Sequence, residues 1–198
     1  MAAPAADRSV VVLFTAFSRP LDEPSWDRYF HQVSTSVRER LLRYRRWQDR
    51  HLGLLGKLLL RDGLRRLGYP QDTIEALRED RFGKPTLDCE VNFSISHSGT
   101  CAVCALAPGM RLGIDIEEVR DIELEEFREF MPASEWQRII HSRSPQEEFF
   151  RSWTRCESVI KADGRGLSAP LLEIETGREK ALLDDKTWYL KEISLTPG

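Results

Sequence analysis

Apolar and polar positions follow two rhythms along this chain, one before residue 77 and another after it. Ser9 to Phe17 is a dense apolar run and predicts a buried strand. From Pro24 to Ser34 the spacing turns helical, with Trp26, Tyr29, Phe30 and Val33 on one side. Val37 to Trp47 predicts a basic helix with Leu41, Leu42 and Tyr44 turned inward. Asp49 to Leu67 predicts a longer helix, with Leu52, Leu55, Leu59 and Leu67 among its apolar positions and Gly68 as its stop. Gln71 to Ala76 predicts a short helical turn.

The second rhythm is strand-like. Gly83-Lys84-Pro85 is a turn between extended pieces, and Val91 to Ser96 and Cys101 to Ala107 are strands joined by a tight turn at Ser98-Gly99. Pro108-Gly109 breaks the pattern, which places a lobe boundary there: 1–108 and 109–198. Leu112 to Val119 predicts another strand, and Glu123 to Phe130 and Ala133 to His141 predict helices. Ser144-Pro145-Gln146-Glu147 has the spacing of a capping box with proline at the first helical position. It predicts a helix running to Asp163 and ended by Gly164. Trp188 to Ile193 is the clearest of the short strands that follow. Helices and strands do not alternate strictly, so the class is α+β. There is no internal repeat and no glycine-rich Rossmann or P-loop signature.

Composition adds bounds. The chain has 198 residues, 41% hydrophobic and 31% charged, as in a globular protein and unlike a disordered one. The apolar run Val10 to Phe14 is too short to cross a bilayer, and Met1 to Asp7 lacks a secretory pattern, so a cytoplasmic location is expected. Cys101 and Cys104 form a single C-x-x-C on a strand, where positions three apart face opposite ways, so they read as ordinary buried thiols. The net charge of −3 hides an uneven distribution. Arg38 to Arg66 holds ten basic and three acidic residues, whereas Leu112 to Glu135 holds nine acids and two arginines. The basic segment is either a solvated helix face or a surface for phosphates, nucleic acid or an acidic protein.

Candidate chemistry sits in four places. In Gly113-Ile114-Asp115-Ile116-Glu117, a strand would put both carboxylates on one face, roughly 7 Å apart at their Cα atoms. They are either a wet acidic face or hard oxygen ligands of the kind Mg²⁺ prefers. Trp153, Glu157 and Lys161 recur every four residues on one helical stripe. Glu157 and Lys161 are then either a surface ion pair or a base and a phosphate-holding cation. His97, beside serines and Gly99 at a strand end, is either structural or a phosphate contact. Phe82-Gly83-Lys84-Pro85 alone is a turn with a lysine.

Taken together, their order is specific. Gly83-Lys84-Pro85, then Phe93-Ser94-Ile95-Ser96-His97-Ser98-Gly99, then Gly113-Ile114-Asp115-Ile116-Glu117, then Trp153-Thr154-Arg155-Cys156-Glu157-Ser158-Val159-Ile160-Lys161 resembles the Sfp-type 4′-phosphopantetheinyl transferases. The likeness runs from about residue 37 to 172 and includes Arg43-Tyr44, Asp49, Arg61 and the stretch Lys161 to Leu171.

The resemblance implies a pseudo-two-fold pair of similar lobes, each a small, mostly antiparallel sheet packed with helices. It implies transfer of the phosphopantetheine arm of coenzyme A to a serine of an acyl or peptidyl carrier protein, by a monomer that needs neither nucleic acid nor membrane. Asp115, Glu117 and Glu157 would hold Mg²⁺ with the pyrophosphate, Glu157 would take the serine proton, and Lys161 would neutralise the leaving 3′,5′-ADP. Arg40, Arg43, Arg81, Gly83, Lys84, Pro85, Ser96, His97 and Lys161 would contact coenzyme A.

There are two departures. The family commonly has lysine where this chain has Cys156, so one positive charge is expected to be missing beside the metal, and Arg155 lies about 100° round the helix. The chain also stops at Gly198, so a final strand is expected to be short or absent. The cysteine raises an alternative, a catalytically impaired module that binds coenzyme A or the carrier, in which Cys156→Lys would restore transfer. A nucleic-acid binder fits poorly with the negative net charge and the lack of a stacking-aromatic motif.

Overall fold

A computed structural model describes residues 9–195; the reading of Met1 to Asp7 and the stop at Gly198 lie outside them. In chain order the elements are β1 (Val11–Ala16), α1 (Glu23–Phe30), α2 (Thr35–Leu42), α3 (Trp47–Arg66), β2 (Arg78–Glu79), β3 (Pro85–Thr86), β4 (Val91–Ser98), β5 (Cys101–Pro108), α4 (Ala133–Ile140), α5 (Pro145–Asp163), β6 (Glu175–Thr176), β7 (Lys180–Leu183) and β8 (Lys186–Tyr189). Short 3-10 turns span Gln71–Ala76 and Leu124–Phe130. The class is α+β, with small antiparallel sheets packed on helices.

The larger sheet has the order β1-β5-β4. Its centre is β5, whose run from Ala102 to Ala107 is buried without alternation, as in a strand covered on both faces. α3 lies on this sheet, where Leu60 and Leu64 meet Phe93, Cys104 and Leu106. α3 ends as its sequence suggests: Gly68 takes φ +83°, and Tyr69 N–H closes back on the Leu64 carbonyl at 3.0 Å. On the outer side of α3, Val33, Leu41 and Leu54 gather Trp26, Tyr29, Phe30 and Val37. The smaller sheet, β6-β7-β8, buries Ile174, Ala181 and Leu183 against Cys156, Val159 and Ile160 of α5. A third cluster joins α4 to α5 through Trp136, Ile139, Phe149 and Phe150. No helix among the described residues is long and apolar enough to cross a membrane.

Several expectations are corrected. β1 is an edge strand with one neighbour, and Phe14 is half exposed, so the apolar run is not buried. α2 stops at Leu42, leaving Leu42 and Tyr44 exposed while Leu41 alone points inward. Residues 124–130 form 3-10 turns instead of an α-helix. The Ser144 side chain makes no capping hydrogen bond, although Pro145 does open α5 and Gly164, at φ +91°, does close it. The last strand is Lys186–Tyr189, earlier than expected.

The largest correction concerns residues 112–119, which form no strand. They lie beside β4 but do not pair with it through the backbone. Serine hydroxyls replace the ladder: Ser94 Oγ accepts from Ile114 N–H at 3.1 Å, and Ser98 Oγ accepts from Glu118 N–H at 3.1 Å. Period-two alternation reported the faces of this segment correctly, but it carries no information on what satisfies the backbone.

Candidate active site

Two segments and one helix meet here. β4 contributes Ser96 and His97, the segment after Pro108 contributes Asp115 and Glu117, and α5 contributes Trp153, Glu157 and Lys161. Together with Ile95 they line a cavity of about 300 Å³. The stripe at 153, 157 and 161 follows from helical spacing, because positions four apart stand one above another. The rest of α5 is committed to packing, with Phe149 and Phe150 on one cluster and Cys156, Val159 and Ile160 on another.

Gly113 makes the approach of the acidic segment to α5 possible. A Cβ there would lie 2.0 Å from the Ser158 carbonyl oxygen and 2.5 Å from the Ala162 nitrogen, both backbone atoms of α5 that cannot yield. Gly113→Ala is therefore expected to cost about 1–3 kcal/mol and to lower transfer by displacing Asp115. A urea melt with an unchanged midpoint would contradict this close fit.

Asp115 is nearly inaccessible at its side chain, 4% exposed. Its Oδ1 accepts from Ser96 Oγ at 2.7 Å and from Lys161 Nζ at 2.6 Å, and the same ammonium donates to Ser96 Oγ at 2.8 Å. Its Oδ2 is buried with no hydrogen-bond partner. Glu117 Oε2 accepts from Ser98 Oγ at 2.7 Å. Burial first, and then the Asp115 carboxylate, raise the pKa of Glu157 above the ordinary value, against the opposing pull of Lys161. Burial and then Lys161 lower that of His97, which favours the neutral imidazole.

An orphaned buried carboxylate oxygen and a cluster of acids that raises a neighbour's pKa are the features a divalent cation would relieve. The donors are all hard oxygens, which fits Mg²⁺. Among the described residues no three acidic, histidine or cysteine side chains close round one point.

A second cavity of about 340 Å³ shares Ile95, Glu157 and Lys161 with the first. Gly83, Lys84 and Pro85 line it, with Phe82 and Phe93. Lys84 Nζ donates to the Lys161 carbonyl at 2.5 Å, and burial and then Arg111 lower its pKa. The remaining predicted contacts stand elsewhere. Arg40 is hydrogen-bonded to Glu79, Arg43 is exposed at the end of α2, and the Arg81 guanidinium lies 4.7 Å over the Phe82 ring; none of the three lines either cavity.

Cys156 is corrected outright. Its side chain is 2% exposed within the core between α5 and the smaller sheet, and burial pushes its thiol up to about 12. The cysteine itself packs in that core and does not line the cavity that holds the carboxylates. Sequence reading passed over Ser94 and Ser98, whose every-second-residue spacing with Ser96, opposite alternating carboxylates, was the available signal.

The chain matches two models of one family. Residues 111–192 match the 4′-phosphopantetheinyl transferase superfamily, and residues 19–109 match the 4′-phosphopantetheinyl transferase N-terminal model. The 4′-phosphopantetheinyl transferase Sfp of Bacillus subtilis is 31% identical over 191 residues, covering 91% of this chain and 85% of the relative. The transferase gsp of Aneurinibacillus migulanus is 32% identical over 165 residues, covering 82% and 69%. An L-aminoadipate-semialdehyde dehydrogenase-phosphopantetheinyl transferase of Xenopus laevis is 30% identical, covering 82% of this chain and 65% of the relative. The chain belongs to the 4′-phosphopantetheinyl transferase family and is an enzyme of that class.

Proposed function

We propose that the enzyme moves the 4′-phosphopantetheine group of coenzyme A onto a serine hydroxyl of an acyl or peptidyl carrier protein, with Mg²⁺ held by Asp115, Glu117 and Glu157. The observation that carries this is the convergence of three carboxylates on one cavity in which Asp115 Oδ2 is buried without a partner. The cation would supply charge neutralisation at the pyrophosphate.

The chain's own residues then divide the work. Glu157 has no hydrogen-bond partner among the described residues, and burial with the neighbouring Asp115 raises its pKa, which strengthens it as a proton acceptor. It receives the serine proton as the serine oxygen bonds to the phosphorus that carries the pantetheine arm. The bond from that phosphorus to the bridging oxygen breaks, and 3′,5′-ADP departs with the electron pair. Lys161 leaves Asp115 for the phosphate oxygens, where its charge counters the charge developing on the leaving group. His97, Ser96 and Lys84 border the space beside Lys161, where they would contact the nucleotide phosphates. Arg40 joins them only by exchanging Glu79 for a phosphate. With this reading go a monomer of two lobes, 1–108 and 109–198, and a cytoplasmic location.

The test is a mass measurement. Apo carrier proteins from fatty-acid, polyketide and peptide synthases are incubated with the enzyme, coenzyme A and Mg²⁺. The expected result is a phosphopantetheine mass gain on at least one carrier, lost with EDTA. No gain on any carrier would overturn the carrier reading, and gain undiminished by EDTA would overturn the metal.

A further inference from the structure

Three serines, Ser94, Ser96 and Ser98, project from alternate positions of β4 toward the acidic segment. The outer two hold its ends. Ser94 Oγ takes the Ile114 N–H and Ser98 Oγ takes the Glu118 N–H, so Asp115 and Glu117 hang between fixed points. Ser98 then has one further capacity. Its oxygen is used by Glu118 N–H, and its single proton goes to Glu117 Oε2 at 2.7 Å. The direction of that O–H is set by the backbone, and the O–H in turn sets the carboxylate. Ser96 treats Asp115 in the same manner, holding Oδ1 and leaving Oδ2 free. Each acid is thus pinned by one oxygen and offers the other.

We propose that Ser98 is a positioning residue for the Glu117 carboxylate as a ligand of the divalent cation. The inference rests on the metal reading given above. A free glutamate side chain samples many rotamers, and ordering it on binding costs conformational entropy; a hydroxyl that orders it beforehand removes that cost from metal binding. Groups that hold a metal's ligands in this way characteristically change affinity about 10–100-fold when removed. Ser96 offers no clean test of the principle, because it also carries the Lys161 ammonium. Among the described residues the Ser98 hydroxyl hydrogen-bonds only Glu117 and the Glu118 N–H.

The experiment compares wild type, Ser98→Ala and Ser98→Thr. Mn²⁺ binding is followed by electron paramagnetic resonance with coenzyme A present, and transfer is titrated with Mg²⁺, with circular dichroism melts as a check on folding. Ser98→Ala is expected to weaken Mn²⁺ binding about 10–100-fold and to raise the half-saturating Mg²⁺ by a similar factor. Its maximal rate at saturating Mg²⁺ should return to within about threefold of wild type, since the ligand is misaimed and not removed. Ser98→Thr keeps the hydroxyl and should bind Mn²⁺ as wild type does. A folded Ser98→Ala with wild-type Mn²⁺ affinity overturns the assignment. If the alanine variant does not fold, a folded Ser98→Thr that loses Mn²⁺ binding overturns it instead. Wild type that binds no Mn²⁺ under these conditions overturns the metal reading itself.

Discussion

Replacing Glu157 with glutamine is expected to lower phosphopantetheine transfer about 10³-fold, the scale of a lost general base, while coenzyme A still binds by calorimetry. The variant keeps the shape of the side chain and removes its capacity to take the serine proton. A rate within tenfold of wild type would remove Glu157 from the proton step. The same variant should be more stable than wild type in metal-free buffer at neutral pH. Burial and Asp115 hold the Glu157 carboxyl above its ordinary value of 4.5, so the folded protein binds this proton more readily than the unfolded chain does. Its ionisation therefore weakens the fold as pH climbs from the ordinary value through the raised one, and the loss is complete above that. Glutamine has no charge to desolvate. Its melting temperature should exceed that of wild type at pH 7 and converge with it below pH 4.5, read by scanning calorimetry in EDTA. A gap that stays constant with pH would show that ionisation is not its cause.

Cys156→Lys should damage the protein instead of improving it. Family likeness suggests that a lysine here would restore a charge to the metal site. The side chain at 156 instead points into the core formed with Val159, Ile160, Ile174 and Leu183. An ammonium there would be taken out of water among apolar side chains, with Glu135 and Glu157 near but neither hydrogen-bonded to it, at a cost of about 3–5 kcal/mol, to be read as a lower urea midpoint. Transfer should fall with the folded fraction. A variant that is stable and transfers faster would mean that the lysine reaches the cavity and that the wild type is impaired. The alternative of an impaired binding module rests on Cys156 standing where the family has lysine, and this variant decides it.

Helix geometry accounts for the place of Cys156. One residue of α5 turns the side chain by about 100°. That rotation takes Arg155 away from the site, where it reaches Glu192 at 3.4 Å, and it takes Cys156 away from Glu157 as well. Motif order located the residue along the chain but not around the helix axis. The apolar run of β1 misled in a related way. Val11 to Ala16 does pair with β5, but a strand at a sheet edge is covered on fewer sides than its hydrophobicity suggests. Arg40 shows the limit for charges: its basic helix was evident, whereas its partner Glu79 lies 39 residues on.

What the sequence determined by itself is whatever neighbouring residues decide. The α3 and α5 helices, their glycine stops at Gly68 and Gly164, the β4–β5 hairpin and the stripe of Trp153, Glu157 and Lys161 all follow from periodicities and turn chemistry acting within a few residues. What only the tertiary structure decided is how separate segments satisfy one another. Ser96 meets Asp115 from 19 residues away and Lys161 from 65, and Gly113 lies against the backbone of α5 at Ser158 and Ala162. Residues 112–119 look like a strand because their side chains alternate. They are none because Ser94 and Ser98 satisfy backbone N–H groups that a neighbouring strand would otherwise take, and this leaves the carboxylates of Asp115 and Glu117 aimed into the cavity.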